Sequence, residues 1–342
     1  PGAAFLALRN IRRNQVVIEM TKKVARRRAE REENVEWARK AARGCTEQKR
    51  EEIARHNFEQ LQAALFHGKF ACSEVVAAFL GRSVAAHEKT NCVTLYVKEC
   101  VEWAHEWDEK AKAPGFVKPA LFGIPISVKE CLPVQGYDCT FGYASEAFKP
   151  VKHNTLMLRR LKELGAIPFV LTNVPFSGLA YTTGNEIYGW TRHPLDASRT
   201  PGGSTGGESA LIDAGGSVLG LGADIGGSIR TPCHFTGLAG IKPSTLRLSL
   251  RGTVPLVPGR PLINASLGPM AQTISTCVAM MRAVLADDCL SRHDRAMPPV
   301  PWNEHAFATG KKYTIGYYED DGYFTATPGC ARAVREAKAL LE

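Results

Sequence analysis

Apolar positions recur at helical spacing through the first ninety residues and in short strand-like runs beyond them, dividing the chain into a helical front and an alternating body. Residues 9–43 read as one long, highly charged helix, with Arg26-Arg27-Arg28 as its densest cationic point. Residues 46–66 read as an amphipathic helix with Ile53, Phe58, Leu61 and Leu65 on one side, ending near Gly68. Ser73 is the expected cap of the next helix, which carries Val75, Val76, Phe79 and Leu80 and stops before Asn91. From Val93 the pattern changes. Val93–Val97, Gly123–Val128 and Ile167–Leu171 read as strands, with a helix at Leu156–Leu164 closed by Gly165. Further strands are expected at Ser217–Leu221, Gly237–Ile241 and Tyr313–Tyr317, and helices at Glu208–Ala214, Cys277–Leu285 and Cys330–Glu342, with a Pro-rich loop over 287–312. Strands interleaved with helices predict an α/β fold: a mixed, largely buried sheet covered by helices, with a helical N-terminal extension. The expected division is a basic helical segment at 1–68 and a main domain at 69–342 that is incomplete at its C-terminal end.

Two glycine-flanked serines interrupt this pattern, Ser204 in PGGSTGGE and Ser228 in ADIGGSIR. Glycine lets backbone amides line a concavity and lets another group approach closely, so such loops suit an anion or a developing oxyanion. The apolar helix and strand between the two loops argue against a flexible linker, because linkers carry no core.

Composition narrows the field. With 342 residues and 44% apolar content the chain is long enough to bury a real core. Ten cysteines without a CxxC pair or dense spacing point to a reducing compartment rather than a disulfide framework, and no apolar run reaches the length of a membrane span. The chain starts without Met and ends inside a helical pattern, and is read as a piece of a longer protein. The formal charge of +9 is uneven: residues 1–60 hold fifteen Lys/Arg against nine Asp/Glu. That excess fits a solvated face, an anionic membrane surface or a nucleic acid; no aromatics are interleaved for base stacking, which weakens the last. No metal site and no cofactor are expected.

Two strings imitate known motifs. Gly202–Gly206 fits G-x-S-x-G, but a nucleophile elbow needs an apolar strand just before it and residues 194–201 form a loop. Gly237–Ser244 resembles a P-loop with its lysine displaced. A serine nucleophile needs a base. Among nine histidines only His234 is near the two loops in sequence, and its setting, Pro-Cys-His-Phe, reads as a packed core residue. Lys129 is the other choice: it ends the apolar run GIPISVK, and burial lowers a lysine's proton affinity enough to supply neutral amine.

Lys129 in GIPISVKE, Ser204 in PGGSTGGESALI and Ser228 in ADIGGSIR, in that order, resemble the amidase signature family. The strings Thr90–Thr94, Lys129–Cys131, Gly207-Glu208, Gly268–Ala271 and Ile315–Glu319 look like its fatty-acid amide hydrolase branch. The resemblance implies a Ser-Ser-Lys triad with Ser228 as acylated nucleophile, Ser204, after a cis peptide from Gly203, as proton relay, and Lys129 as base. It further implies an oxyanion hole from the amides of Ile225, Gly226, Gly227 and Ser228, substrate contacts at Gly178, Leu179 and Ala180, and Asp224 with Arg230 as a structural pair. Ala223 and Leu179 depart from the branch, which usually has Thr and an aromatic there. The implied activity is cleavage of fatty-acid amides, N-acylethanolamines and primary fatty amides, with secondary esterase activity. The implied partners are a lipid amide, an anionic membrane surface and a second copy of the chain, with no nucleic acid, on the cytosolic side of the endoplasmic reticulum or another endomembrane. The alternatives are a soluble amidase, an amidotransferase-type subunit and an inert interaction protein descended from an amidase.

Overall fold

The computed structural model describes residues 2–254, 263–308, 310 and 312–342, with side chains from residue 9 onward. Its helical front consists of α1 (Gly2–Ala41), α2 (Glu47–Ala54), α3 (Phe58–Phe66) and α4 (Cys72–Thr90). The single helix expected over 46–66 is two. Asn57 accepts from the Gln60 amide while the Gln60 side chain accepts from the Asn57 amide, a reciprocal cap that starts α3 afresh. Ser73 is not a cap. The chain enters α4 at Ala71, and the amides of Cys72 and Ser73 donate to the Asp108 carboxylate of another helix, at 2.6 and 3.0 Å.

The body then runs β1 (Val93–Tyr96), α5 (Cys100–Lys110), β2 (Pro125–Lys129), α6 (Leu156–Glu163), β3 (Ile167–Thr172), and a small β4 (Gly184–Asn185) and β5 (Gly189–Trp190) pair. It continues with α7 (Gly206–Asp213), β6 (Leu219–Asp224), α8 (Arg230–Thr236), β7 (Ala239–Gly240), β8 (Ser266–Ala271), α9 (Ile274–Val284) and α10 (Cys289–His293). The main sheet has the order β1-β3-β2-β6-β8-β7. Strands β3, β2 and β6 are mutually parallel at its centre, and β1, β8 and β7 join antiparallel, so the sheet is mixed as expected. All residues of β1, β2, β3 and β8 are buried. Helices α4 and α7 lie against the central strands and against each other. The core continues into the helical front through Val35, Ala38, Ile53, Leu61 and Leu65, so residues 1–68 belong to the same compact unit as the sheet, which spans Pro1–Trp302.

The second compact unit, Asn303–Glu342, holds α11 (Glu304–Ala308) and α12 (Pro328–Leu341). The strand expected at Tyr313–Tyr317 is absent: these residues are exposed and have no strand partner among the described residues, and a strand alone satisfies none of its own backbone groups. Residues 287–312, expected as a loop, contain α10 and α11; 309 and 311 lie outside the described residues.

The cationic point of α1 is where the structure departs most from the sequence reading. Arg27, 4% exposed, pairs with buried Asp138. Arg28 donates to the carbonyls of Ile187 (3.1 Å) and Glu186 (2.7 Å), and buried Arg31 to Tyr188 O (3.1 Å), Asn91 Oδ1 (2.7 Å) and Val93 O. One turn on, Asn34 exchanges two bonds with the Tyr96 backbone. These side chains fasten the helix to the domain, while Arg9 to Ala25 remain largely exposed.

Candidate active site

Strand β2 delivers Lys129 at its C-terminal end, where ligands gather in open α/β sheets. The side chain is 2% exposed, and Nζ donates to Ser204 Oγ at 2.7 Å and to the Ala223 carbonyl, near the end of neighbouring β6, at 3.2 Å. Burial lowers its proton affinity, opposed by Cys131, Asp224 and Glu208 nearby. Ser204 is equally buried and follows a cis peptide from Gly203, as expected. Two residues later α7 begins against the backbone of Asn173: a Cβ on Gly207 would lie 2.3 Å from Asn173 N and 2.5 Å from its O, so only glycine lets the helix start here.

Ser228 sits in the turn between β6 and α8, half-buried. That turn is wound around Asp224, whose Oδ1 accepts from Gly227 N (2.8 Å) and Arg230 Nη2 (2.9 Å). Its Oδ2 accepts from Ile229 N (2.9 Å), Arg230 N (3.2 Å) and Arg230 Nε (3.1 Å). Burial alone would raise this carboxyl, but Arg230 and the amides outweigh it and hold it at about 2. The expected Asp224–Arg230 pair is therefore present. One implied oxyanion donor is not free: the Gly227 amide is committed to Asp224. The amides of Ile225, Gly226 and Ser228 have no acceptor among the described residues.

Lys129, Ser204 and Ser228 line one pocket of about 440 Å³, together with Ile225, Gly226, Gly178, Leu179, Ala180 and Asp224. Leu132, Phe141, Leu250 and Leu267 form its apolar wall. Gly227 and Arg230 are not on that wall. Among the described residues Ser228 Oγ makes no hydrogen bond; the two serine loops are joined instead through the Thr205 amide and the Ser228 carbonyl at 3.1 Å. His234, read as a packed core residue, is exposed on α8, because that short helix buries its Pro232, Cys233 and Thr236 side. Residues 191–205 contain no strand before Ser204, consistent with rejecting the nucleophile elbow.

The profile of the amidase family matches residues 74–342. The chain belongs to the amidase family. It is 49% identical over 318 residues to fatty acid amide hydrolase 1 of Caenorhabditis elegans, covering 93% of this chain and 56% of that protein. It is 40% identical over 283 residues to fatty-acid amide hydrolase 1 of Sus scrofa, covering 83% and 47%. A solved fatty acid amide hydrolase structure superimposes with a TM-score of 0.77 at 29% identity, over 86% of this chain and 52% of that one. The chain thus spans about half the length of the relatives it matches.

Two features of this amidase's site have no counterpart in the sequence reading. Tyr181 Oη donates to the Gly226 carbonyl at 3.1 Å, tying the 178–181 segment to the oxyanion turn. Glu130, next to the lysine, is fully enclosed and accepts from Thr140 N and Oγ1, both at 2.6 Å, and from Phe141 N at 3.2 Å. Burial raises it to about 7 against those bonds, and it holds Phe141 in the pocket wall.

Proposed function

We propose that the chain carries the catalytic half of a serine amidohydrolase that cleaves fatty-acid amides through an acyl-enzyme, with secondary esterase activity. The observation that carries the reading is the 2.7 Å contact between buried Lys129 Nζ and Ser204 Oγ, in the same pocket that presents Ser228 beside three unpaired amides. With the amine neutral, Ser204 gives its proton to Lys129 and takes the proton of Ser228 as Ser228 Oγ attacks the substrate carbonyl. The oxyanion receives hydrogen bonds from the Ile225, Gly226 and Ser228 amides, and each such donor is typically worth about 10²–10³ in rate. The proton then returns through Ser204 to the leaving nitrogen, C–N cleavage gives the acyl-enzyme, and water releases the acid by the same relay. The apolar wall and the names of the relatives reported above favour a fatty acyl group over a short polar one.

The exposed front of α1 supports attachment to an anionic membrane surface. Arg9, Arg12, Arg13, Lys22, Lys23 and Arg26 outnumber the one acid, Glu19, and Ile11, Val16, Val17 and Ile18 are each more than half exposed. Among the described residues no helix is long and apolar enough to cross a membrane. Binding to anionic but not zwitterionic vesicles tests that attachment.

The catalytic reading is tested with a fluorophosphonate probe and a pair of substrates, a fatty primary amide and its methyl ester. The probe labels Ser228, and Ser228→Ala abolishes labelling; normal labelling of that variant would sink the assignment. Lys129→Ala lowers amide cleavage by about 10²–10⁴ and ester cleavage by less, because an amine departs only when protonated; equal losses would remove the lysine from the relay.

A further inference from the structure

Glu208 is a fully buried carboxylate that the relay just described does not use. It stands on the first turn of α7, four residues after Ser204. Its Oε1 accepts from Ser127 Oγ and its Oε2 from Thr172 Oγ1 at 2.7 Å. Both hydroxyls flank the lysine: Ser127 is two residues before Lys129 on the same face of β2, and Thr172 is the register partner of Lys129 on β3. On the other side, β6 makes room for the carboxylate. Gly220 pairs with Ser127, and a Cβ there would lie 2.2 Å from Glu208 Oε1. The side chain therefore reaches across the three central strands at the base of the lysine, and it links the helix that follows Ser204 to the strands that carry and flank Lys129.

We propose that Glu208 is a positioning residue for the Lys129–Ser204 pair, fixing the start of α7 to β2 and β3 so that the serine hydroxyl stays within hydrogen-bond reach of the amine. The proposal rests on the catalytic reading above. Where it is ionised, its carboxylate faces Lys129 alongside Asp224 and the Cys131 thiol and favours the ammonium form; the groups facing Glu208 itself are Ser127 and Lys129 from β2, Thr172 from β3 and Cys92 just before β1. Replacing it with an amide of the same shape loosens the pair.

The experiment uses the full chain with the probe and substrate pair named above. In Glu208→Gln, kcat on the amide falls by up to about 10²-fold, the cost of an ångström of misplacement, while KM stays within about twofold. The ester rate falls less, because an alkoxide leaves with less need of a proton than an amine. A purely structural role would lower both substrates alike, which overturns the proposal. If Glu208→Gln does not fold, Ser127→Ala, which removes one hydroxyl of the clamp, carries the test: an unchanged amide-to-ester ratio overturns the proposal and a lowered one supports it. Failure of the parent protein to label at Ser228 removes the catalytic reading and this inference with it, whereas normal labelling with an indifferent Glu208→Gln removes the inference alone.

Discussion

Two buried carboxylates, one behind each serine, are held in opposite ways. Asp224 supports the Ser228 turn with a guanidinium and three amides and is driven far toward the ionised form. Glu208 supports the Ser204 side with two neutral hydroxyls, and burial, which those hydroxyls only partly offset, raises it to about 7. Donors and depth both differ: a charged partner and oriented amides stabilise an anion far more than hydroxyl dipoles do, and Glu208 lies deeper in the fold than Asp224. Bulk separates the loops as well. The Ser204 side is closed by backbone contacts around Gly207, whereas a Cβ on Gly226 meets nothing within 4 Å.

The sharpest way to break this comparison is to remove Asp224. Asp224→Ala leaves three amides and Arg230 without their acceptor, and the expected loss is about 3 kcal/mol of stability together with probe labelling at Ser228, read by urea unfolding and labelling. Retention of stability within about 0.5 kcal/mol would show that the turn holds without its carboxylate. Next, Gly207→Ala costs about 1–3 kcal/mol through collision with Asn173, while Gly226→Ala is near neutral; similar melting temperatures for the two would erase the contrast in bulk.

Acidity distinguishes the loops by sign. Asp224 is depressed from 3.8 to about 2, so its stabilising contribution is present above 3.8 and lost as pH falls toward 2. Glu208 is raised from 4.5 to about 7, so its contribution is present below 4.5 and lost as pH rises through 7. Asp224→Asn therefore flattens the acid side of a stability–pH curve and Glu208→Gln its neutral side. The second flattening is partial, because Glu130 behaves like Glu208. Interchanged effects would refute the assignment. The smallest expected change is in Tyr181→Phe, where loss of one neutral hydrogen bond to Gly226 lowers turnover about two- to fivefold without moving the melting temperature.

The chemistry was legible because it is local. Glycine-flanked serines and a lysine at the end of an apolar strand announce themselves, and the central strands β2, β3 and β6 follow from their apolar runs. What escaped the reading depends on partners distant in sequence. Strand β8 contains Gly268 and Pro269, which weaken a strand pattern, yet it pairs residue for residue with β6. The cap of α4 comes from Asp108, thirty-five residues away or more. Helix α5 was passed over although Cys100 and Ala104, four apart, form its buried side. Asn57 followed by Gln60 was a readable signal for the break between α2 and α3. The arginines of α1 showed their charge in sequence but not the carbonyls at 186–188 waiting for them. Glu208 shows in sequence only as part of a branch-like string at the start of a short helix, and it takes the strand register to place two hydroxyls beside it.

Those arginines set a limit on how far the chain can be trimmed from its front. A shorter chain beginning at Lys22 keeps every bond from Arg27, Arg28, Arg31 and Asn34, whereas one beginning at Val35 takes the donors away from the 186–188 carbonyls, the β1 carbonyls and Asp138 at once. For proteolysis, the largely exposed stretch from Arg9 to Thr21 is a handle and the next fifteen residues are a splint.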